Sequence, residues 1–279
     1  MVVNPSLDVE TAERFEELKR VLTGMGRVLI AFSGGVDSAL LAAASFRALG
    51  ENAAAVTAVS ASLPGRELKD AKELASQIGI RHILIETGEL SDPRYASNPP
   101  ERCYFCKDTL YKRLQTLADT EGFQWICNGA NLDDEGDFRP GERAALEHRV
   151  RSPLREAGLS KAHIRELARH LGLSAWDKPA SACLSSRVPY GLNITPEMLY
   201  EIEASENILH DLGYRQVRVR HHGKLARIEV EPAERGRLIE QAEDISQQLR
   251  EIGFTFVTID LSGYRRGSLN EVLELKAGK

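Results

Sequence analysis

Between residues 27 and 130 the chain alternates two hydrophobic patterns, and this alternation restricts the fold more than any other feature. The runs RVLIAF (27–32), AAAVTAV (53–59), RHILIE (81–86) and FQWICNGA (123–130) have strand length and are largely apolar, as buried parallel strands are. Between and before them, residues 7–22, 38–49, 65–79 and 103–122 carry apolar residues at helical spacing. A polar, proline-rich loop runs to Pro100. Strands that alternate with helices make βαβ units with right-handed crossovers, so the expected fold class is α/β, a doubly wound parallel sheet.

After Ala130 the order loosens into NLDDEGDFRPGER (131–143), whose glycines, proline and acids read as a loop. A helix from Ser160, as N-cap, to Leu171 resumes the pattern. Beyond it the grammar changes. A helix over 196–212, strands over 214–220 and 225–230 around a turn at Gly223, a helix over 233–252 and a strand over 254–261 describe a smaller C-terminal α+β domain with an antiparallel hairpin. The expected domains are 1–192 and 193–279, and 279 residues suffice for both to bury cores.

No apolar run approaches the roughly 20 residues that a membrane helix needs, and the N-terminus has neither a basic n-region nor an apolar h-region. A cytoplasmic protein away from membranes is expected. The net charge of −5 argues against wrapping nucleic acid by counterion release.

The stretch SGGVDS, Ser33 to Ser38, lies where ligands bind in open parallel sheets, between the end of the first strand and the next helix. Gly34 and Gly35 let backbone N–H groups approach an anion, Ser33 and Ser38 add hydroxyls, and the helix start favours negative charge. It is not a Walker A loop, because no lysine follows the glycines at the required spacing. Asp37 either holds Mg²⁺ against phosphates or caps the helix. The bland reading is a Gly-Gly turn before a capped helix.

Ser33-Gly34-Gly35-Val36-Asp37-Ser38 resembles the PP-loop of the N-type ATP pyrophosphatases, which transfer AMP to a substrate oxygen and release pyrophosphate. GANLDD (129–134), with Asn131, resembles that superfamily's second ATP-site loop, GDFRPG (136–141) continues it, and PASACLSSRVPYG (179–191) sits at the domain boundary. Together these resemble the LarE family, the pyridinium-3,5-biscarboxylic acid mononucleotide sulfurtransferases of nickel-pincer nucleotide cofactor synthesis, over nearly the whole chain. The resemblance implies ATP and Mg²⁺, a small pyridinium mononucleotide whose carboxylates are adenylylated and thiolated, and a homo-oligomer such as a hexamer, for which FVTIDLSGYRRG (256–267) is a reasonable interface strand. It implies Asp37 and Cys183 as catalytic residues and Ser33 to Ser38, Asn131 and Arg187 as ligand contacts.

The four cysteines of a chain expected in the cytoplasm do not read as a disulfide framework. Cys103 and Cys106 are three apart at a helix start, so both thiols can face one side; a lone CxxC fits half a zinc site, a redox pair or coincidence. Cys127 lies in an apolar strand and reads as a small core residue. The resemblance puts Cys183 where the family carries its sulfur-donating cysteine. Cys103, Cys106 and Cys183 as three thiolates without a fourth ligand suit a 4Fe-4S cluster with one open iron, which is the expected metal site. Relatives with the single cysteine give up its own sulfur, so a sacrificial Cys183 stays open as the alternative.

Charge that develops on phosphorus needs cations, for which Lys107, Arg139 and Arg187 are candidates beside Asp37-bound Mg²⁺; Lys107 equally suits a solvated helix face. In VRVRHHGKLARIEVE, Arg218 and Arg220 share one strand face, opposite the parity of Val217 and Val219. That face is either a solvated ion-paired surface or a contact for the mononucleotide phosphate. Rival functions are a PP-loop tRNA thiolation enzyme, an ammonia-using synthetase and a nucleotide-binding regulator without chemistry.

Overall fold

A computed structural model describes residues 7–134, 140–179, 181–265 and 267–270. Contacts divide the chain into two compact units, residues 1–89 with 101–181 and residues 90–100 with 182–279.

In the first unit the elements run α1 (Val9–Met25), β1 (Val28–Ala31), α2 (Val36–Leu49), β2 (Ala53–Val59), α3 (Gly65–Ile78) and β3 (Arg81–Glu86). After α4 (Pro93–Ala96), which belongs to the second unit, come α5 (Arg102–Glu121), β4 (Trp125–Cys127), α6 (Pro140–Glu147), α7 (Pro153–Glu156) and α8 (Lys161–His170). Among the described residues the strands form a four-stranded sheet in the order β3-β2-β1-β4, all parallel, with Val28 opposite both Ala53 and Trp125. Strand alternation sends Val28 and Ile30 to one face, against a core that includes residues of α1, α2 and α8, and Leu29 to the other, against residues of α5 and α6. Both faces are covered, which is why the central strands read as continuous apolar runs. Asp8 caps α1 through Thr11 N, and the Thr11 hydroxyl donates to Glu166 of α8 at 2.6 Å, so the sequence-distant helices are tied at their ends. Ser160 caps α8 in a capping box with His163, as expected from sequence.

Two elements depart from the sequence reading. Residues 140–143, read as loop, open α6, because a proline is tolerated in the first helical turn and its fixed φ suits one. The helix expected to start at Ser38 begins at Val36 with Gly35 as N-cap, and no side chain caps it, so Asp37 does not have the capping role considered for it.

The second unit contains α9 (Pro196–Asp211), β5 (Val217–His222), β6 (Leu225–Val230), α10 (Arg235–Glu240), α11 (Ala242–Ile252) and β7 (Phe256–Ile259). Thr195 caps α9 through Met198 N, with Pro196 at the first position. β5 and β6 pair antiparallel around Gly223, whose φ is +68°, and β7 adds parallel to β6 after the helical crossover. The single helix expected over 233–252 is broken at Gln241, which leaves helical geometry with ψ at 11°. Val217, Val219, Ala226, Ile228 and Leu249 are among the residues that form this unit's core.

The segment 90–100, expected as a loop of the first domain, packs in the second unit. Gly191 N donates to Asn98 O and Ile194 N to Ala96 O, while the buried Asn98 side chain donates to the carbonyls of Val188 and Pro189. The chain thus changes unit at 89/90, 100/101 and 181/182, against an expected single boundary near Leu192.

Candidate active site

The loop after β1 is folded by its own serines. Ser38 Oγ donates to Gly35 O at 3.0 Å and takes the N–H of Ser33 at 3.3 Å, while Ser33 Oγ lies 3.2 Å from Ser38 Oγ and accepts from Gly35 N. Gly34 has φ +73°, and a Cβ there would stand 3.1 Å from Ala71 Cα of α3, so both conformation and space call for glycine. Gly129, after β4, approaches as closely: a Cβ on it would meet Ser38 N at 3.0 Å. The first N–H groups of α2 have no acceptor within the helix and carry its positive dipole end. The arrangement has the geometry to receive an anion at the carboxyl ends of β1 and β4, the position where doubly wound sheets bind ligands.

Asp37, in the first turn of α2, is gripped by two groups. Asn131 Nδ2 donates to Oδ1 at 3.2 Å and Lys161 Nζ reaches Oδ2 at 2.5 Å. Lys161 is the first residue of α8, and its own N–H donates to Asp133 at 2.7 Å. Asn131 is 3% exposed and also accepts from Asp133 N, so the 129–134 loop and the start of α8 are locked to Asp37. Sequence reasoning named Asp37 and Asn131 but not Lys161, whose partner is 124 residues away. Its only local signal is its place directly after an N-cap serine.

Cys103 and Cys106 lie in the first turns of α5, the former exposed and the latter half-buried. Lys107, exposed on the same helix, has its ammonium 6.0 Å from the Tyr111 ring centroid. Cys127 is buried as expected, its thiol pushed up to about 12 by burial and then by Glu156. Arg139 and most of 136–141 lie outside the described residues. Among the described residues no group of three or more His, Cys, Asp or Glu side chains is placed to hold a metal ion. Cys103 and Cys106 belong to the first unit and Cys183 to the second.

In the second unit Cys183, half-buried, precedes a 3₁₀ turn over Leu184–Arg187. Arg187 is 2% exposed and forms a two-pronged pair with Glu206 of α9, at 2.9 and 2.8 Å. Arg220 does the same with Glu229 across the hairpin, at 2.9 and 2.8 Å, and Arg227 adds a third guanidinium contact to Glu229 at 3.0 Å. Arg218 is buried, donates to Val217 O at 2.6 Å and lies 5.3 Å from the Tyr264 ring centroid. Burial, then the neighbouring Arg187 charge, lowers its pKa from the ordinary arginine value. The hairpin face is therefore ion-paired, as one reading of its alternation had it, but buried rather than solvated.

A parallel α/β sheet with this loop after its first strand defines the PP-loop ATP pyrophosphatase class. A family profile described as NAD synthase matches residues 12–113. An uncharacterized protein of Synechocystis sp. is 47% identical over 93% of this chain and 98% of its own. The pyridinium-3,5-bisthiocarboxylic acid mononucleotide synthase of Lactiplantibacillus plantarum is 38% identical over 92% of this chain and 93% of its own. A tRNA-specific 2-thiouridylase of Azorhizobium caulinodans is 29% identical over only 56% of this chain and 49% of its own. The chain belongs to the family of the pyridinium-3,5-bisthiocarboxylic acid mononucleotide synthases.

Proposed function

We propose that the protein adenylylates the carboxylates of pyridinium-3,5-biscarboxylic acid mononucleotide with ATP and replaces oxygen by sulfur. The observation that supports this reading is the glycine- and serine-built loop after β1, with Asp37 held between Lys161 and Asn131, in a chain akin to the synthase of L. plantarum over nearly its full length. A carboxylate oxygen attacks the α-phosphorus, the bond to the β-phosphate breaks and pyrophosphate leaves, which turns the oxygen into part of a leaving group. Sulfur then attacks the acyl carbon and AMP departs. Ser33 to Ser38 cradle the phosphates, Asp37 would hold Mg²⁺, and Lys161 faces the charge that develops on phosphorus. When bound, the cation supplies further positive charge there.

Cys183 bears the sulfur. In the sacrificial route its thiolate forms a thioester with the activated carboxyl group; loss of its α-proton and cleavage of its Cβ–S bond leave dehydroalanine and release the thiocarboxylate. The cluster route would instead have Cys103, Cys106 and Cys183 hold a 4Fe-4S group, for which the CxxC on α5 is the support. Arg218 of the second unit takes the mononucleotide phosphate, and β7, an edge strand with Phe256 61% exposed, suits a homo-oligomeric contact. The site of action is the cytoplasm.

The test combines ATP, Mg²⁺ and the mononucleotide with wild type and Asp37→Ala. Wild type yields AMP, pyrophosphate and a product with sulfur in place of carboxylate oxygen; Asp37→Ala yields none of these. ADP with inorganic phosphate would overturn the reading, and thiolation of tRNA instead would move the chain to the tRNA enzymes. Mass spectrometry of anaerobically purified protein separates the sulfur routes: dehydroalanine at 183 supports sacrifice, and bound iron with sulfide, lost in each Cys→Ala variant but kept in Cys127→Ala, supports the cluster.

A further inference from the structure

Arg187 has the composition of a phosphate ligand and the surroundings of a brace. Its guanidinium grips Glu206 with two nitrogens, and the remaining nitrogen, Nη1, donates to Ala182 O at 2.5 Å, Cys183 O at 2.9 Å and Ser186 Oγ at 3.0 Å. Glu206 in turn accepts from Val219 N at 2.9 Å, so the pair is anchored to α9 and β5 together. The same loop is held elsewhere along its length. Arg220, paired with Glu229, donates to Ser186 O at 2.7 Å, and the buried Ser185 hydroxyl shares a 2.7 Å hydrogen bond with Tyr95. Cys183 is the residue of this loop whose side chain carries chemistry, and its backbone is fixed while its side chain stays partly open.

We infer that Arg187 and Glu206 are a positioning pair that holds the Cys183 backbone for sulfur transfer, and that Arg187 is not a contact to the mononucleotide. A planar guanidinium suits such a brace, because one edge binds a carboxylate while the third nitrogen ties down the carbonyls of Ala182 and Cys183, on either side of the Cys183 Cα. A donor that must meet an acyl carbon along one trajectory gains rate from being held in place. The inference rests on the proposed thiolation for its kinetic arm, but the placement of Cys183 is measurable without substrate.

The test uses the double variant Arg187→Met/Glu206→Leu, since well-packed apolar pairs replace buried ion pairs with little loss of stability, and Arg187→Lys, which keeps the charge and loses the fork. Three readouts are compared with wild type: alkylation of Cys183 by iodoacetamide, resolved by peptide mass spectrometry; hydrogen exchange of the amides of 182–187; and kcat and KM for the mononucleotide. Positioning predicts several-fold faster alkylation and exchange, and a kcat lower by on the order of 10- to 100-fold with KM within about twofold. A KM raised on the order of tenfold with kcat held would make Arg187 a substrate contact and overturn the inference. A cooperatively melting double variant with wild-type alkylation, exchange and kcat would reduce the pair to packing. If the double variant does not melt cooperatively, Arg187→Lys decides by the same measures. If wild type makes no thiocarboxylate, the functional reading fails, and alkylation and exchange still decide whether the pair positions Cys183.

Discussion

Residues 33–38 in the first unit and 182–188 in the second are both short turns leading into helical geometry, yet one is shaped by missing side chains and the other by long ones. Gly34 and Gly129 let backbone approach backbone to about 3 Å, with serine hydroxyls stitching the turn to itself. The cysteine loop has no such economy: its own Arg187, with Arg220, Tyr95 and Asn98 from other elements of the second unit, holds its carbonyls and Ser185. A loop that must offer N–H groups to an anion keeps side chains away. A loop that must present one sulfur atom can be surrounded by them. The cost of the second design is exposure to single substitutions, because removing one partner of a buried ion pair leaves an uncompensated charge worth about 3–5 kcal/mol.

The largest expected effect lies in the second loop and the smaller ones in the first unit. Cys183→Ser should cut thiocarboxylate formation on the order of 10³-fold or more while the protein still releases pyrophosphate, read by coupled assay and mass spectrometry. Equal loss of both products would place Cys183 in nucleotide activation and erase the contrast. Lys161→Ala should lower the rate of pyrophosphate release by about 10²-fold, as for removal of one charge-stabilising donor, with the Cys183 alkylation rate unchanged. Gly34→Ala should raise the KM for ATP on the order of tenfold and cost ~1–2 kcal/mol in denaturant unfolding, from a strained φ and contact with Ala71.

The smallest effect is in pH. His82, ring-packed on Phe32 and 2.8 Å from the Thr57 hydroxyl, titrates below its ordinary value through burial and then Lys72. The unfolded chain therefore binds more protons just below about pH 6.5, so this contribution is whole above that pH and fades as pH falls. The melting-temperature difference between wild type and His82→Gln should narrow from pH 7 to 5. A constant difference would mean that the imidazole contributes by packing alone.

The βαβ half was legible because buried parallel strands are apolar throughout and the glycine loop is local: every residue that shapes the turn lies within a few positions of it, save the neighbours that Gly34 and Gly129 approach. What stayed hidden was non-local. Lys161 looks like any solvated lysine at a helix start until Asp37 is beside it. Arg187 and Arg220 were visible as charges, but nothing in their spacing marks Glu206 and Glu229 as the acceptors that occupy them. α6 was masked by a proline and a glycine that act as a helix opening rather than a break.

The borrowed segment 90–100 also constrains the order in which the protein can be built. Tyr95 and Ser185 are 90 residues apart, so on a ribosome that adds about 5–20 residues per second the segment waits on the order of ten seconds before its partner is made. During that interval Tyr95 and Asn98, both buried in the finished protein, have no second unit to enter. The second unit is closed by its earliest-made piece meeting the start of the segment that resumes at Ala182, a long-range contact that makes folding slow. A ribosome stalled anywhere between these points carries only what has been made of the first unit, with a dangling, partly apolar strap, and the same strap is missing from any fragment that starts at Ala182.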